Sequence, residues 1–383
     1  MKRVLITGAR APIAIDLARS FAAAGWEPHL ADSVRPWSAR LAPVADGRLH
    51  RHAPPRFAFA RFRADLKALV TRLDPQVILP ICEEVFYVAE AAARDGFADR
   101  VLAPPPEMLR RLHSKVEFAA LAREAGLDAP ATHRLRSLED LQAWRSKARQ
   151  LVFKPEFSRF ASRALIRPAP GRLAITPTPE APWAVQAYEG GEEVCIWSFA
   201  RAGRLTAFAA YRPSWRLGRS ASFYFETDSD PALLAFAQRL AAVTGATGQL
   251  AYDVVRRPDG SIAPLECNPR GVSGVHLFDA APRLAEALVG DTALQCPEAA
   301  ARHLAPAMWL MGAPQALLQG RLSAFRTDLA RSRDVFAISG TPGRAILGAL
   351  LDAGRFTMVG LSRGRSASGQ STDDIEWNGE VMG

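Results

Sequence analysis

Gly248-Gln249-Leu250-Ala251-Tyr252-Asp253-Val254-Val255 and Ser261-Ile262-Ala263-Pro264-Leu265 are two apolar, β-prone runs separated by the turn formers Arg257-Pro258-Asp259-Gly260, and the second continues into Glu266-Cys267-Asn268-Pro269-Arg270. This pattern predicts a β-hairpin with Asp253 on one strand and Glu266 and Asn268 on the other. Three oxygen ligands then converge on one small site. Two carboxylates and an amide are hard ligands of the kind that hold Mg²⁺, which usually also binds substrate phosphates. The residues around them are apolar, and a buried acid needs a partner such as a divalent cation. Arg270 follows closely enough to reach a phosphate or a carboxylate with its fork of donors. A surface hairpin with ordinary solvated acids is the competing reading.

Upstream, Leu151-Val152-Phe153-Lys154-Pro155 reads as a strand with Lys154 near its end. The segment Phe157 to Pro182 is rich in Ser, Arg, Pro and Gly, and reads as a flap with short strands. A strand-end lysine under such a flap can grip phosphates, or it can snorkel to solvent. Only five of the 48 basic residues are lysines, so Lys154 and Lys115 are informative in a chain that otherwise uses arginine. Lys115 follows Ser114 inside a predicted helix from Met108 to Ala125; a solvated helix face is its simpler reading. Gln186-Ala187-Tyr188-Glu189-Gly190-Gly191 joins two predicted strands. A strand edge there can present backbone groups to an adenine ring, with Glu193 accepting from ribose hydroxyls.

The start of the chain reads as a βαβ unit of Rossmann type: a strand over Arg3 to Thr7, a helix over Ile13 to Ala24, and a strand over Glu27 to Asp32. Gly8-Ala9-Arg10-Ala11 lacks the further glycines of a dinucleotide fingerprint, although Asp32 is suggestively placed. Pro104-Pro105-Pro106 marks a boundary. The polar end, Gly369 to Gly383, reads as a tail, and Ser366 to Ser371 as a flexible loop.

A chain of 383 residues with 49% hydrophobic and 23% charged content is a folded protein of two or three domains. No apolar run is long enough to cross a bilayer, and the N-terminus reads as a buried strand rather than a signal peptide. Four scattered cysteines without CxxC spacing suggest a reduced, cytoplasmic setting without zinc. The net charge of +9 is spread along the chain, which argues against a nucleic-acid partner. Arg212, Arg216 and Arg219 near Trp215 are read either as an anion-binding group or as a solvated loop.

In this order, Ser114-Lys115, Phe153-Lys154-Pro155, Gln186 to Glu189, Glu193 and the Glu266-to-Arg270 ending resemble the ATP-grasp superfamily, in particular its carbamoyl-phosphate-synthase-like carboxylate–amine ligases. The resemblance spans roughly Met1 to Leu288. It implies an α/β and α+β chain: a Rossmann-like pre-ATP-grasp domain (1–106), an ATP-grasp domain (107–290, with lobes of about 107–183 and 184–290), and a mostly helical C-terminal region (291–383). It implies ATP with Mg²⁺, or Mn²⁺ in its place. Lys115 and Lys154 would contact the phosphates, Lys154 and Arg270 would act in catalysis, and Gln186, Tyr188, Glu189 and Glu193 would hold the nucleoside. Asp253, Glu266 and Asn268 would hold the metal. The partners implied are small-molecule carboxylates and amines, with no nucleic acid, no membrane, and a homodimer among the open assembly states. Three features depart from the pattern: the loop Glu156 to Arg163 is not glycine-rich, Gln186 stands where acids are common, and the region beyond about Thr292 matches no known substrate module. An NAD(P)-dependent oxidoreductase built on the first βαβ unit, and a non-catalytic nucleotide-binding regulator, are the alternatives.

Overall fold

The computed structural model describes residues 1–158, 163–216, 222–337, 341–364 and 366–383. Strand β1 (Arg3–Thr7) runs parallel between β2 (Glu27–Asp32) and β4 (Val77–Pro80), with β3 (Leu49–Arg51) outside β2. Helix α1 (Pro12–Ala23) connects the first two strands. Central parallel strands are covered on both faces, which is why β1 and β4 are continuous apolar runs. The turn after β1 requires glycine: Gly8 has φ +75°, and a Cβ there would lie 2.7 Å from Glu84 Oε1. That buried carboxyl accepts hydrogen bonds from Thr7 Oγ1 and from the amides of Ile81 and Cys82, and burial raises its pKa.

A four-stranded sheet follows, ordered β5-β8-β6-β7: β5 (Thr132–Leu135), β6 (Leu151–Pro155), β7 (Leu165–Ile166) and β8 (Trp183–Ala187). The remaining strands form a larger sheet. β9 (Glu192–Arg201) lies at its centre between β10 (Arg204–Ser214) and β12 (Gly248–Arg256); β13 (Ile262–Asn268) forms one edge beside β12, and β11 (Tyr224–Thr227) follows β10. Three short strands from the C-terminal region, β14 (Leu294–Gln295), β15 (Ala301–His303) and β16 (Arg333–Asp334), also join this sheet, alongside otherwise helical structure.

The large sheet has two different faces. Val194, Ile196, Leu250, Tyr252 and Cys267 pack under the helices Lys115–Glu124 and Pro231–Thr244. Trp197, Phe199, Tyr211 and Ala251 share a core with the first sheet. The junction with that sheet is tight. Gln249 Nε2 donates to the Pro80 carbonyl at 2.9 Å, and a Cβ on Gly271 would lie 2.4 Å from Ile13 Cδ1.

The end of the chain is not a loose tail. Asp374 accepts from Arg10 and Ser33 at the carboxyl ends of β1 and β2. Trp377 stacks on Phe86 with ring centroids 4.8 Å apart and meets Phe157 edge-on at 5.3 Å. Residues 367–370, within the stretch read as a flexible loop, form a short helix. The partners that order this segment come from the other end of the chain, so local polarity could not reveal them. A second correction concerns Pro342–Ser362, a 21-residue helix that is long and apolar enough to cross a membrane by length and composition. Arg344, Asp352 and Arg355 interrupt its apolar run, which hid it from a reading based on continuous stretches.

Trp377→Ala should destabilise the protein by about 3–5 kcal/mol, as large aromatic truncations in cores do, measured by urea unfolding. A wild-type-like midpoint would mean that the tail does not hold. Nearby, burial lowers the pKa of His113 from 6.5 to about 4. Between those values the unfolded chain binds a proton that the folded chain does not, so stability falls as pH drops through this window, by up to about 3 kcal/mol. His113→Phe should flatten that part of the stability–pH profile.

Candidate active site

The predicted hairpin forms, with Asp253 directly opposite Glu266 and Ala251 opposite Asn268. Strand alternation turns Tyr252 and Cys267 into the helix-covered core. Asp253, Glu266 and Asn268 therefore share the opposite face, toward the first sheet. Asn268 Nδ2 donates to Asp253 Oδ2 at 3.3 Å, and Cys195 Sγ donates to Asp253 Oδ1 at 3.3 Å.

Both lysines arrive at the same carboxylate. Lys115 Nζ lies 3.8 Å and Lys154 Nζ 3.7 Å from Glu266 Oε2. Lys115 begins a helix capped by Ser114, whose Oγ accepts from the Glu117 amide. Ser114 Oγ also donates to Glu156, just past the strand carrying Lys154. Glu156 additionally accepts from Arg134 Nε at 2.6 Å, and the Lys115 amide donates to the Glu156 carbonyl at 3.3 Å. One buried acid thus fixes the spacing between the two lysines. Sequence reasoning did not single out Glu156, although its place directly after Lys154-Pro155 was a signal. The Lys154 ammonium also donates to the Leu265 carbonyl at 3.2 Å, and Gln186 Nε2 donates to the same oxygen at 3.4 Å. The small sheet is thereby held against the edge of the large one.

The electrostatics follow from burial. Burial, reinforced by the negative charge of Glu266, pushes the Asp253 carboxyl up to about 7. Burial would raise Glu266 too, but Lys115 and Lys154 outweigh it and hold that carboxyl low. Burial lowers the Lys154 ammonium to about 8, with Glu266 opposing. Two adjacent carboxyls of which one resists ionisation are a natural seat for a dication, which lets both ionise. Asp253, Glu266 and the carbonyl of Asn268 supply the hard oxygen donors that Mg²⁺ takes, so the donor chemistry fits.

The other expected residues have partners of their own. Arg270 Nε donates to Glu83 Oε1 at 2.8 Å, and its Nη2 donates to Asn268 Oδ1 at 3.2 Å. Glu83, in the turn after β4, was overlooked as a site residue; the paired acids Glu83-Glu84 after a buried strand were the available signal. Glu189 accepts from Arg257 Nε and Nη2 at 2.8 and 3.0 Å, which ties the segment after β8 to the hairpin turn. Tyr188 is partly exposed beneath the Arg167 guanidinium, 5.0 Å from its ring centroid. Glu193 pairs with Arg216. Arg212 follows Tyr211, which is the β-partner of Cys195, so Arg212 points to the face opposite Asp253 and lies 3.7 Å from Glu226. Residues 159–162 of the expected phosphate-covering loop, and Arg219, lie outside the described residues.

The oxidoreductase alternative finds no support at the first βαβ unit. Asp32, the acid that would meet a ribose, accepts from Arg10 Nε at 3.1 Å and from the Arg10 amide at 2.8 Å, and Asp374 sits over the same guanidinium.

No protein-family model matches the chain, and no curated protein sequence matches it. Solved structures do. An ADP complex of N5-carboxyaminoimidazole ribonucleotide synthetase superposes with a TM-score of 0.60 at 13% identity, over 78% of this chain and 80% of that one. Phosphoribosylamine–glycine ligase from Thermotoga maritima gives 0.58 at 17% identity, over 78% of each chain. Pyruvate carboxylase from Rhizobium etli gives 0.57 at 14% identity; the match covers 73% of this chain but only 27% of that larger one. At these identities the likeness is one of fold, and that fold is ATP-grasp.

Glu83→Ala should destabilise the protein by about 3–5 kcal/mol, because it leaves a buried guanidinium without its acid. Glu83→Leu/Arg270→Met should recover much of that loss in chemical denaturation, and failure to recover it would mean that the pair is not what holds this junction.

Proposed function

We propose that the protein is an ATP-dependent ligase that activates a substrate carboxylate as an acylphosphate for attack by an amine or another nucleophile. The observation carrying this reading is the convergence of Lys115 and Lys154 on Glu266 beside Asp253. Two buried cations and two adjacent carboxyls form a pre-balanced cluster. When a metal–triphosphate enters, the ammonium groups can turn to phosphate oxygens while the carboxylates turn to the metal, and no charge is left uncompensated.

Asp253, Glu266 and Asn268 would hold Mg²⁺, which when bound supplies charge neutralisation on the phosphates. The protein's own groups do the rest. Lys154 and Lys115 position the transferred phosphoryl group and offset charge that builds on it, as phosphoryl transfer chiefly requires. Arg270, fixed by Glu83, presents its guanidinium beside Asn268 to steady the phosphoryl group or the acceptor carboxylate. Gln186, Tyr188 and Glu189 border the space for adenine. Glu193 would have to leave Arg216 to meet the ribose. The attacking carboxylate oxygen forms a bond to the γ-phosphorus as the bond to the β-phosphate oxygen breaks, releasing ADP. The nucleophile then displaces phosphate at the acyl carbon. Exclusion of water matters because an acylphosphate otherwise hydrolyses.

Asp253→Ala and Glu266→Ala should each abolish Mg-dependent ADP release across a panel of carboxylates and amines while keeping a wild-type circular dichroism spectrum. Substantial turnover by either folded variant would refute the assignment. Lys154→Ala should weaken ATP binding about 10- to 100-fold, the loss expected for a charge-assisted phosphate contact. Titration calorimetry showing unchanged affinity would remove Lys154 from the site.

A further inference from the structure

A surface helix normally turns its apolar stripe inward. The helix Pro342–Ser362 does the reverse. Its packed face is built of Ala345, Gly348, Asp352 and Gly360, with Ile346 and Ala349 partly buried against the core beside them. A Cβ on Gly348 would lie 2.7 Å from the Ser38 Cα, and Asp352 accepts from the amides of Trp37 and Ser38 at 2.8 and 2.9 Å and from Ser38 Oγ at 2.8 Å. The helix is therefore laid lengthwise on the protein by small residues and one buried acid. Pointing away are Leu347, Leu350, Leu351, Met358 and Leu361, at the spacing of one helical face; Leu347, Met358 and Leu361 are 52, 69 and 75% exposed. In the helical segment between Ala305 and Leu318, Trp309 and Leu318 are likewise exposed, at 61 and 87%.

Charge identifies what covers this face. From Ala305 to Ser371 the sequence holds eight arginines, no lysine and three acids. None of the three acids is exposed: Asp352 is committed to Trp37 and Ser38, Asp328 accepts from Trp215 Nε1 at 2.7 Å, and Asp334 accepts from the Ala305 amide at 3.1 Å. Arg326, Arg344 and Arg363 are exposed and have no acidic partner among the described residues. A second copy packed through the same face would set this cationic region against itself. A bilayer with anionic headgroups supplies the opposite charge, and its upper acyl region takes Leu, Met and Trp side chains.

We propose that this face docks the protein on an anionic lipid surface, with Pro342–Ser362 lying in the headgroup region rather than spanning the bilayer. The inference does not depend on the ligase reading, and it departs from the absence of a membrane partner expected from sequence. The test is flotation of the purified full chain with vesicles of phosphatidylcholine alone or mixed with phosphatidylglycerol, alongside sedimentation equilibrium. Binding to the anionic vesicles should be about tenfold or more above binding to the neutral ones and should fall with added salt. Leu361→Glu/Met358→Glu should abolish flotation, and Arg344→Glu/Arg363→Glu should remove the preference for phosphatidylglycerol. All four side chains are exposed, so unfolding midpoints should stay unchanged. Absent or charge-indifferent binding, binding retained by the leucine–methionine variant, or a dimer that this variant dissociates would each overturn the proposal, the last by assigning the face to a second copy.

Discussion

Four ionisable side chains, Lys115, Lys154, Asp253 and Glu266, meet in a buried space, and none is tolerable there charged and alone. Removing a charge from water is costly unless an opposite charge and hydrogen bonds replace the solvent. This demand links elements from three parts of the chain. Lys115 comes from a helix capped against Glu156, Lys154 from the end of a strand in the small sheet, and the acids from the edge of the large sheet. The two sheets meet where they do because Lys154 and Gln186 both bind the Leu265 carbonyl. A cluster balanced in this way stays stable at rest yet can exchange partners when an anion and a cation arrive together.

The periphery is held by the same logic with weaker coupling. Arg257 clamps Glu189, Arg216 holds Glu193 and Glu83 holds Arg270, so each residue expected at the nucleotide or substrate already has a protein partner. The pairs differ in cost to open. Glu193 and Arg216 lie toward solvent, where ion pairs contribute little. Glu83 and Arg270 are buried and resist separation, which suits a group that must not move.

What could be read from sequence was local. The hairpin declared itself through two apolar, β-prone runs around a Pro-Asp-Gly turn, and the first strands through unbroken apolar runs. The lysines stood out because the chain otherwise uses arginine. Long-range choices were hidden. Nothing near Arg270 indicates that its acid is Glu83, in the turn that follows β4 of the first sheet. Nothing in Tyr211-Arg212 indicates which residue faces Asp253 until the register with Cys195 is known. The end of the chain misled for the same reason, since Trp377 and Asp374 are ordered by Phe86 and Arg10.

That last arrangement bears on how the molecule comes to be folded. Arg10 and Asp374 are separated by 364 positions, and contacts that close so long a loop form late. During synthesis the opening sheet emerges early, yet Arg10 and Phe86 must wait for residues 374–377 before their native surroundings are complete. Until then the carboxyl ends of β1 and β2 remain uncovered, in a form that chaperones or proteases can distinguish from the finished molecule.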